Sequence, residues 1–384
     1  MSCMKERKNN SENLKVAIVT EHLWKMGGAN RVLNCFCEMF PTADIYCLFG
    51  EKNFLKRKEL LSDEICKHRV FYSKLNNLPF VRKYYQYTFR KWIKNVEKFN
   101  LSNYDLVISS SSSVAHGVIT PYNCLHISYI HSPMRFIWDL NKTYFGEKRG
   151  SHSLPVGLAS RIPFNFARIW DVCASNRSEV LIANSNCVRN RISKYWKKES
   201  KIIYPPVEMY KGKLKERRDD YFVCGAPFEK NKGGEFLLEK AKNMGFNLKV
   251  IGTGSMLSSM KRKYGKCDNI EILGWVSEDE KWNMLCSCSG YIVAGEEDYG
   301  IFPVEALSCG TPVLAFKGGG SLETVVEGKG GMFFEWNNFE DVFEKFKQKD
   351  WDWRDVRMSL RNFNTKDSFK EKIMDVLVDN GIHI

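Results

Sequence analysis

The chain has 384 residues, of which 43% are hydrophobic, and it carries a formal net charge of +13 at pH 7. This length exceeds a usual single core and the apolar residues suffice to fill two, which excludes a disordered chain and predicts two domains. The positive charge calls for an anionic partner, but the sequence has no zinc-finger spacing, no RNP-type strand and no obvious helix-turn-helix, so we expect no nucleic acid.

The cysteines point to a reducing compartment. There are thirteen of them, an odd number without a repeating framework, so free thiols in a cytoplasmic protein fit best. Two pairs, Cys35 with Cys37 and Cys286 with Cys288, are two residues apart, a spacing that places them on different sides of a helix, and we expect no metal site. Residues 1–13 have the composition of a flexible polar tail, and no run is convincing as a membrane span.

The first strand is predicted at residues 14–20, which are rich in β-branched side chains, and a glycine pair and an amphipathic helix follow it. Gly27 and Gly28 would allow the backbone to approach a ligand at the start of that helix. A simple tight turn explains the same two glycines equally well.

Basic and aromatic residues interleave through residues 71–98, where Glu97 is the single acid. From Phe80 onward the apolar positions recur at helical spacing and leave the basic residues on the opposite face. Such a helix can lie on an anionic membrane, or its aromatic face can be core and its basic face solvated. We expect a phosphate or lipid headgroup to bind nearby, with Lys83 and Arg90 among its contacts.

Further buried strands are predicted at residues 105–109 and 125–130, and His131 directly follows the second. His131 therefore stands at the carboxyl end of a strand, the edge where α/β sheets place chemistry. A structural histidine is the alternative. Arg135 and Asp139 follow, and an internal salt bridge is one interpretation of that pair. After another strand, the stiff run Ile-Ile-Tyr-Pro-Pro-Val at 202–207 marks the domain boundary.

Two lysines follow the first strand of the second half, residues 221–226. Lys230 and Lys232 in a loop at a helix start can neutralise a leaving diphosphate without a metal, although solvated loop lysines would give the same pattern. Gly252 and Gly254 follow a strand and would lie beside a nucleotide base.

Residues 291–320 read as strand, polar loop, short helix, strand and a loop of three glycines. Glu297 and Glu305 flank the helix start, where free N–H groups and the helix dipole hold anions, while carboxylates accept hydrogen bonds from hydroxyl groups. This combination predicts a ligand with both hydroxyls and phosphate, such as a nucleotide sugar. Gly318 to Gly320 offer further N–H groups to phosphate. A solvated acidic loop with Glu305 on a helix surface is the alternative.

This stretch resembles the signature of the retaining GT-B glycosyltransferases of the large family four, which is two glutamates separated by seven residues and a helix ending in Cys-Gly-Thr-Pro, here residues 309–312. Residues 131–139, His-Ser-Pro-Met-Arg-Phe-Ile-Trp-Asp, are similar to a segment of the subgroup that includes O-antigen mannosyltransferases. The resemblance implies that Glu297 contacts the donor sugar, that Glu305 holds the ribose and that His131 faces the sugar at the reaction centre.

The expected site combines these residues with the loops described above. His131 and Glu297 are its catalytic residues, and Arg135, Lys83 and Arg90 lie on its acceptor side. Its donor-binding residues are Gly27, Gly28, Lys230, Lys232, Gly252, Gly254, Tyr299, Gly300, Ile301, Phe302 and Glu305. The chain departs from the family at Asn30, where glutamate is usual, and at Ala226 and Pro227, where arginine is usual; we expect Lys230 to compensate.

The resemblance also implies an architecture and a reaction. Two doubly wound Rossmann-like domains would face a cleft, with residues 14–204 on the acceptor side, residues 205–365 binding the nucleotide sugar and a last helix, 366–380, returning to the first domain. The expected activity moves a sugar, first of all mannose from GDP-mannose, onto a hydroxyl of a glycan or lipid-linked acceptor. No cofactor or metal is expected, and peripheral contact with an anionic membrane is compatible. A sugar-nucleotide epimerase and a noncatalytic binder of anionic glycan or nucleic acid are the alternatives.

Overall fold

A computed structural model describes residues 14–24, 27–79, 81, 89–141, 154–216, 218–225, 229 and 232–383, without the side chains of residues 54, 58, 59, 90 and 154–163. The chain divides into two compact units. Unit 1 is Met1–Pro206 together with Lys366–Ile384, and unit 2 is Val207–Thr365.

The described part of the chain contains thirteen strands and fourteen α-helices. The strands are β1 (Val16–Leu23), β2 (Asp44–Gly50), β3 (Val70–Tyr72), β4 (Leu106–Ser111), β5 (Leu125–Ile130), β6 (Val180–Ala183), β7 (Lys201–Ile202), β8 (Asp219–Gly225), β9 (Leu248–Ile251), β10 (Ile270–Gly274), β11 (Cys288–Val293), β12 (Val313–Phe316) and β13 (Gly331–Phe334). The helices are α1 (Gly28–Met39), α2 (Phe54–Leu60), α3 (Asp63–Lys67), α4 (Phe89–Val96), α5 (Leu154–Ala174), α6 (Asn186–Trp196), α7 (Gly234–Met244), α8 (Leu257–Tyr264), α9 (Glu278–Ser287), α10 (Ile301–Ser308), α11 (Ser321–Thr324), α12 (Phe339–Gln348), α13 (Trp353–Met358) and α14 (Lys366–Asp379).

Each unit is built on one parallel sheet. The order in unit 1 is β3-β2-β1-β4-β5-β6-β7, and in unit 2 it is β10-β9-β8-β11-β12-β13. In both sheets the direction of the connections reverses beside the first strand, between β1 and β4 and between β8 and β11, as in doubly wound α/β domains. The fold class predicted from the sequence is therefore confirmed.

Both faces of these sheets are covered by apolar side chains. Because successive residues of a strand point to opposite faces, β1 contributes to two cores. Ile18 packs in the core that contains Phe36 of α1 and Phe369 of α14, whereas Val19 packs in the core that contains Trp92 of α4. The rings of Phe36 and Phe369 are 5.8 Å apart, so α14, the last helix, completes the core of unit 1.

The serines of β4 and β5 are buried because they hydrogen-bond histidine. His126 of β5 is 0% exposed, and its Nε2 lies 3.0 Å from the hydroxyl of Ser109 and 3.2 Å from that of Ser128, while Nδ1 lies 3.3 Å from the hydroxyl of Ser178. Burial first of all, and then the nearby His116, lower the pKa of His126 to about 3. His126 is therefore a neutral core residue at physiological pH.

Acid should destabilise the protein through His126. The ordinary pKa is 6.5 and the folded-state pKa is about 3, so the unfolded state binds more protons between these values and the free energy of unfolding falls as the pH falls below 6.5. At about 1.4 kcal/mol per pH unit, roughly 2 kcal/mol is lost by pH 5. Denaturant unfolding at pH 7 and pH 5 measures this loss, and His126→Gln should reduce it; an equal loss in the variant contradicts the assignment.

Candidate functional site

The candidate site in unit 2 lies at the carboxyl ends of β8 and β11, the neighbouring strands whose connections leave in opposite directions. Lys232 comes from the loop after β8 and Glu297 from the loop after β11. The Nζ of Lys232 is 2.6 Å from Oε2 of Glu297, and the two side chains are 14% and 23% exposed. A cation and a carboxylate of opposite loops thus meet at the topological switch point, where doubly wound sheets bind ligands.

Glycine allows these two loops to touch. Gly233 has φ of +70°, and a Cβ there would lie 2.1 Å from the carbonyl oxygen of Ala294. On the opposite loop, a Cβ at Gly295 would lie 2.8 Å from the carbonyl carbon of Lys232. Any larger residue would separate the loops and with them the ion pair.

The three-glycine loop after β12 supports the same site, but not as the sequence indicated. We expected its N–H groups to face phosphate. Instead the N–H of Gly320 donates to the carbonyl of Glu297 at 2.9 Å, and the N–H of Gly318 donates to that of Phe316 at 2.8 Å. A Cβ at Gly320 would lie 2.4 Å from the Cα of Tyr299. This loop therefore supports the backbone that carries Glu297.

Glu305 of α10 is 0% exposed, so it is not the surface residue of the alternative interpretation. Its Oε1 is 3.1 Å from the Nζ of Lys281, a lysine of α9 that is itself 3% exposed. The structure confirms the predicted capping box of Ser277 and Glu280. Lys281 was not singled out from the sequence because it directly follows this capping box, and the start of such a helix is usually exposed. The signal that could have found it is the apolar Leu285 four residues later, on the same helix face.

The residues between the two glutamates are packed into the protein. Tyr299 is 3% exposed and its hydroxyl donates to the carbonyl of Asn362 at 3.1 Å. Gly300 caps α10 with φ of +87°, a conformation that favours glycine. Ile301 and Phe302 form the first turn of α10 and are half-buried.

The loops after β9 and β10 are joined by their backbones. Gly252 has φ of +128°, and its N–H donates to the carbonyl of Gly274 at 2.7 Å; the carbonyl of Gly254 accepts from Leu257 at 3.3 Å. Glu229, which the sequence did not single out, accepts from the N–H of Ser255 at 3.1 Å and from its hydroxyl at 2.8 Å. Lys230 lies outside the described residues.

In unit 1, His131 follows β5 and is half-buried. The Nε2 atom of its ring is 2.8 Å from the hydroxyl of Ser110, and its backbone N–H donates to the carbonyl of Ser111 at 2.8 Å. The side-chain amide of Asn184 donates to the carbonyl of His131 at 3.0 Å. The ring is thus fixed at the carboxyl end of the sheet by the neighbouring strand β4.

Arg135 forms the internal ion pair that the sequence left open. Its Nε is 3.4 Å from Oδ2 of Asp139, and the Nε of Arg191 is 3.1 Å from the same oxygen. Arg135 is 11% exposed in its side chain, so this segment is tied to α6 through Asp139. The acceptor-side role of Arg135 stays a prediction.

The glycine pair at the start of α1 is exposed. Gly27 has φ of −169°, which any residue adopts, and a Cβ there meets nothing within 4 Å. Its carbonyl accepts the N–H of Arg31 at 3.1 Å, so Gly27 starts α1, with Gly28 as the first helical residue. The folded chain itself does not require glycine at position 27.

The aromatic face of α4 is core. Trp92 is 5% exposed and Val96 is 1% exposed, whereas Lys91 and Lys94 are exposed. The alternative of a core-facing aromatic side and a solvated basic side therefore describes α4. Lys83 and the side chain of Arg90 lie outside the described part of the chain.

Glu21 is a buried carboxylate that the sequence did not reveal. We expected β1 to end at residue 20, but it continues to Leu23, and Glu21 is 2% exposed. Its Oε1 accepts the backbone N–H groups of Ala115 at 2.8 Å and Val114 at 2.9 Å. Burial alone would raise the pKa of Glu21, but backbone hydrogen bonds led by those of Ala115 and Ser112 lower it below the usual value. Glu21 thus anchors the loop after β4.

Part of the chain is similar to known proteins. Residues 208–351 match the family Glycosyl transferases group 1. The chain is 31% identical over 178 residues to an uncharacterised glycosyltransferase of Methanocaldococcus jannaschii, covering 45% of this chain and 50% of that protein. It is 28% identical over 194 residues to the GDP-Man:Man(3)GlcNAc(2)-PP-Dol alpha-1,2-mannosyltransferase of Mus musculus, covering 43% of this chain and 39% of that one. The matches thus span half or less of these curated relatives.

Among solved structures, Anabaena HepE in complex with UDP is similar in fold, with a TM-score of 0.61 and 16% identity over 95% of this chain and 100% of that chain. The similar structures are GT-B glycosyltransferases. The fold is therefore of the GT-B class. Residues 208–351, the segment that matches the Glycosyl transferases group 1 family, contain Lys232, Lys281, Glu297 and Glu305.

The contact between the two loops can be tested with two glycines that flank α7. Gly233 and Gly245 have φ of +70° and +76°, but a Cβ at Gly245 meets nothing within 4 Å. Gly245→Ala should therefore lower the free energy of unfolding only by the cost of placing alanine in the left-handed conformation, about 1 kcal/mol. Gly233→Ala should cost a further 1 to 3 kcal/mol, roughly the penalty of overpacking, because its methyl group meets the carbonyl of Ala294. Denaturant unfolding measures both, and equal losses would show that the loops do not touch.

Proposed function

We propose that this chain is a retaining glycosyltransferase that moves mannose from GDP-mannose onto a hydroxyl of a glycan or lipid-linked acceptor. The observation that carries the proposal is the pairing of Lys232 with Glu297 at 2.6 Å. A nucleotide sugar presents a diphosphate for the lysine and hydroxyl groups for the glutamate. The matched Glycosyl transferases group 1 domain and the glycosyltransferase relatives support the reaction class.

The choice of donor rests on two further supports. The mouse relative carries GDP-Man and a lipid-linked acceptor in its name, and residues 131–139 resemble the mannosyltransferase subgroup. HepE, in contrast, was solved with UDP, which makes UDP-sugars the first competing donors.

In the proposed reaction the bond between the anomeric carbon and the diphosphate oxygen breaks, and its electron pair leaves with the diphosphate. Lys232 stabilises this negative charge, assisted by Lys230, and a metal ion is not required for that task. The acceptor oxygen attacks the same face of the sugar and passes its proton to the departing phosphate oxygen. Glu297 and His131 orient the oxocarbenium-like sugar during the step.

For the acceptor we propose an anionic group attracted by the basic side of α4. Lys91, Lys94 and the following Lys98 are exposed there, while Trp92 faces the core. A phosphate or an anionic membrane surface is attracted to such a cluster at long range. No helix within the described ranges is long and apolar enough to cross a bilayer.

A donor screen tests the proposed function. The protein is incubated with radiolabelled GDP-mannose, UDP-glucose and other nucleotide sugars, and free sugar, nucleotide and transferred product are separated. Slow hydrolysis or transfer of one donor supports the proposal. Interconversion of nucleotide sugars would instead identify an epimerase, and salt-sensitive binding of anionic polymers without any turnover would identify a noncatalytic binder.

Replacement of Glu297 should separate turnover from nucleotide binding. Glu297→Gln removes the charge that orients the sugar, so we expect kcat/KM for the donor to fall about 100-fold, the magnitude typical of a lost electrostatic contact. The stabilisation of the protein by GDP in a thermal shift assay should remain. Glu296→Gln, in the same loop, is the matched control and should retain activity within a few-fold. Equal losses of kcat/KM in the two variants would show that Glu297 has no specific role in the reaction.

His131→Ala should lower turnover and leave nucleotide binding intact. The imidazole is proposed to face the sugar and not the nucleotide, so kcat should fall at least tenfold, typical for a lost polar group in a transition state. The affinity for GDP, measured by calorimetry, should stay within about twofold of the wild type. An unchanged kcat would show that His131 is the structural histidine of the alternative interpretation, held by Ser110.

A further inference from the structure

Lys281 and Glu305 form a charge pair that is closed to solvent. Lys281 is 3% exposed and Glu305 is 0% exposed, and Nζ to Oε1 measures 3.1 Å. The same ammonium also contacts the carboxylate of Glu278, which is 62% exposed. Aromatic rings complete its surroundings, with the ring centre of Trp282 at 4.4 Å and that of Phe302 at 5.8 Å.

Stability alone does not explain this pair. Removing two charges from water is costly, and well-packed apolar residues in place of a buried ion pair are often neutral or stabilising. An ion pair kept in such surroundings suits a task that needs a charge at one fixed position. Of the two residues, Glu305 is the one with an expected role, which is to bind the ribose of the donor.

The geometry shows how Lys281 would serve that task. A glutamate side chain has three rotatable bonds, so a carboxylate without an anchor samples several positions. The ammonium holds one oxygen of Glu305, and Lys281 is itself fixed in α9 by packing beside Phe302, the neighbour of Glu305 in α10. Fixing one carboxylate oxygen fixes the direction of the other.

We propose that Lys281 is a positioning residue that aims the carboxylate of Glu305 at the ribose hydroxyls of the donor. This inference rests on the proposed function and adds a residue that acts through another side chain. Lys281 need not touch the nucleotide. Its effect should therefore appear in the recognition of the ribose and not in the rate of the chemical step.

The test compares GDP with 2′,3′-dideoxy-GDP, which lacks both ribose hydroxyls. Calorimetry gives the affinities of both nucleotides for the wild type, Lys281→Gln and Lys281→Arg, with Glu278→Gln as the control for the exposed carboxylate on the same ammonium. In the wild type we expect GDP to bind at least tenfold more tightly. In Lys281→Gln the ratio should fall to near one, and the KM for GDP-mannose should rise about tenfold while kcat stays within threefold.

Lys281→Arg, which keeps the cation, should restore most of the discrimination, and Glu278→Gln should leave it within about twofold. If Lys281 has a structural role alone, Lys281→Gln should weaken the binding of both nucleotides equally and leave the ratio of their affinities unchanged. This result would overturn the inference but not the proposed transferase activity. Wild-type protein that binds the two nucleotides equally overturns it as well, without any variant that must fold. Wild-type protein that binds no nucleotide and turns over no donor overturns the proposed function itself.

Discussion

The ion pair of Lys232 and Glu297, whose Nζ and Oε2 atoms are 2.6 Å apart, sets two structural requirements for unit 2. They come from separate loops, so β8 and β11 must be neighbours and must run parallel. The loop backbones must also touch, which explains glycine at positions 233 and 295. The sheet order provides the first condition and the glycines the second. The candidate chemistry of unit 2 therefore depends on backbone geometry before it depends on any functional side chain.

Two other carboxylates, Glu21 and Glu305, are buried by different means. The charge of Glu21 is stabilised by hydrogen bonds from backbone N–H groups of the loop after β4, including that of Ala115. These N–H groups move only if the backbone moves. Glu305 is paired with a buried side chain, Lys281, whose ammonium lies 3.1 Å from one of its carboxylate oxygens. The first arrangement suits a permanent anchor. The second suits a carboxylate that a neighbouring side chain aims at a ligand, and this difference distinguishes a structural acid from a candidate binding acid in the same protein.

Local patterns predicted the fold well, because strand composition, capping residues and glycine loops are encoded over a few neighbouring residues. The capping box of Ser277 and Glu280 is such a case. Glu21 escaped prediction because its partners are far away in sequence, with Ala115 94 residues later. The N–H group of Gly320 was misassigned for the same reason, since the carbonyl of Glu297 that accepts its hydrogen bond belongs to another loop. Side chains that meet only after folding leave no local signal.

The ion pair also suggests how the proposed enzyme would distinguish donor from product. A diphosphate that attracts Lys232 must loosen its contact with Glu297, and a half-buried carboxylate left without a partner is costly. A nucleotide sugar supplies hydroxyl groups that can replace the lysine, whereas a bare nucleoside diphosphate does not. Recognition of the diphosphate and of the sugar would then be coupled through one contact. After the proposed transfer the coupling would be lost and Glu297 would regain Lys232. The competition between carboxylate and diphosphate for the same ammonium would then favour release of the product.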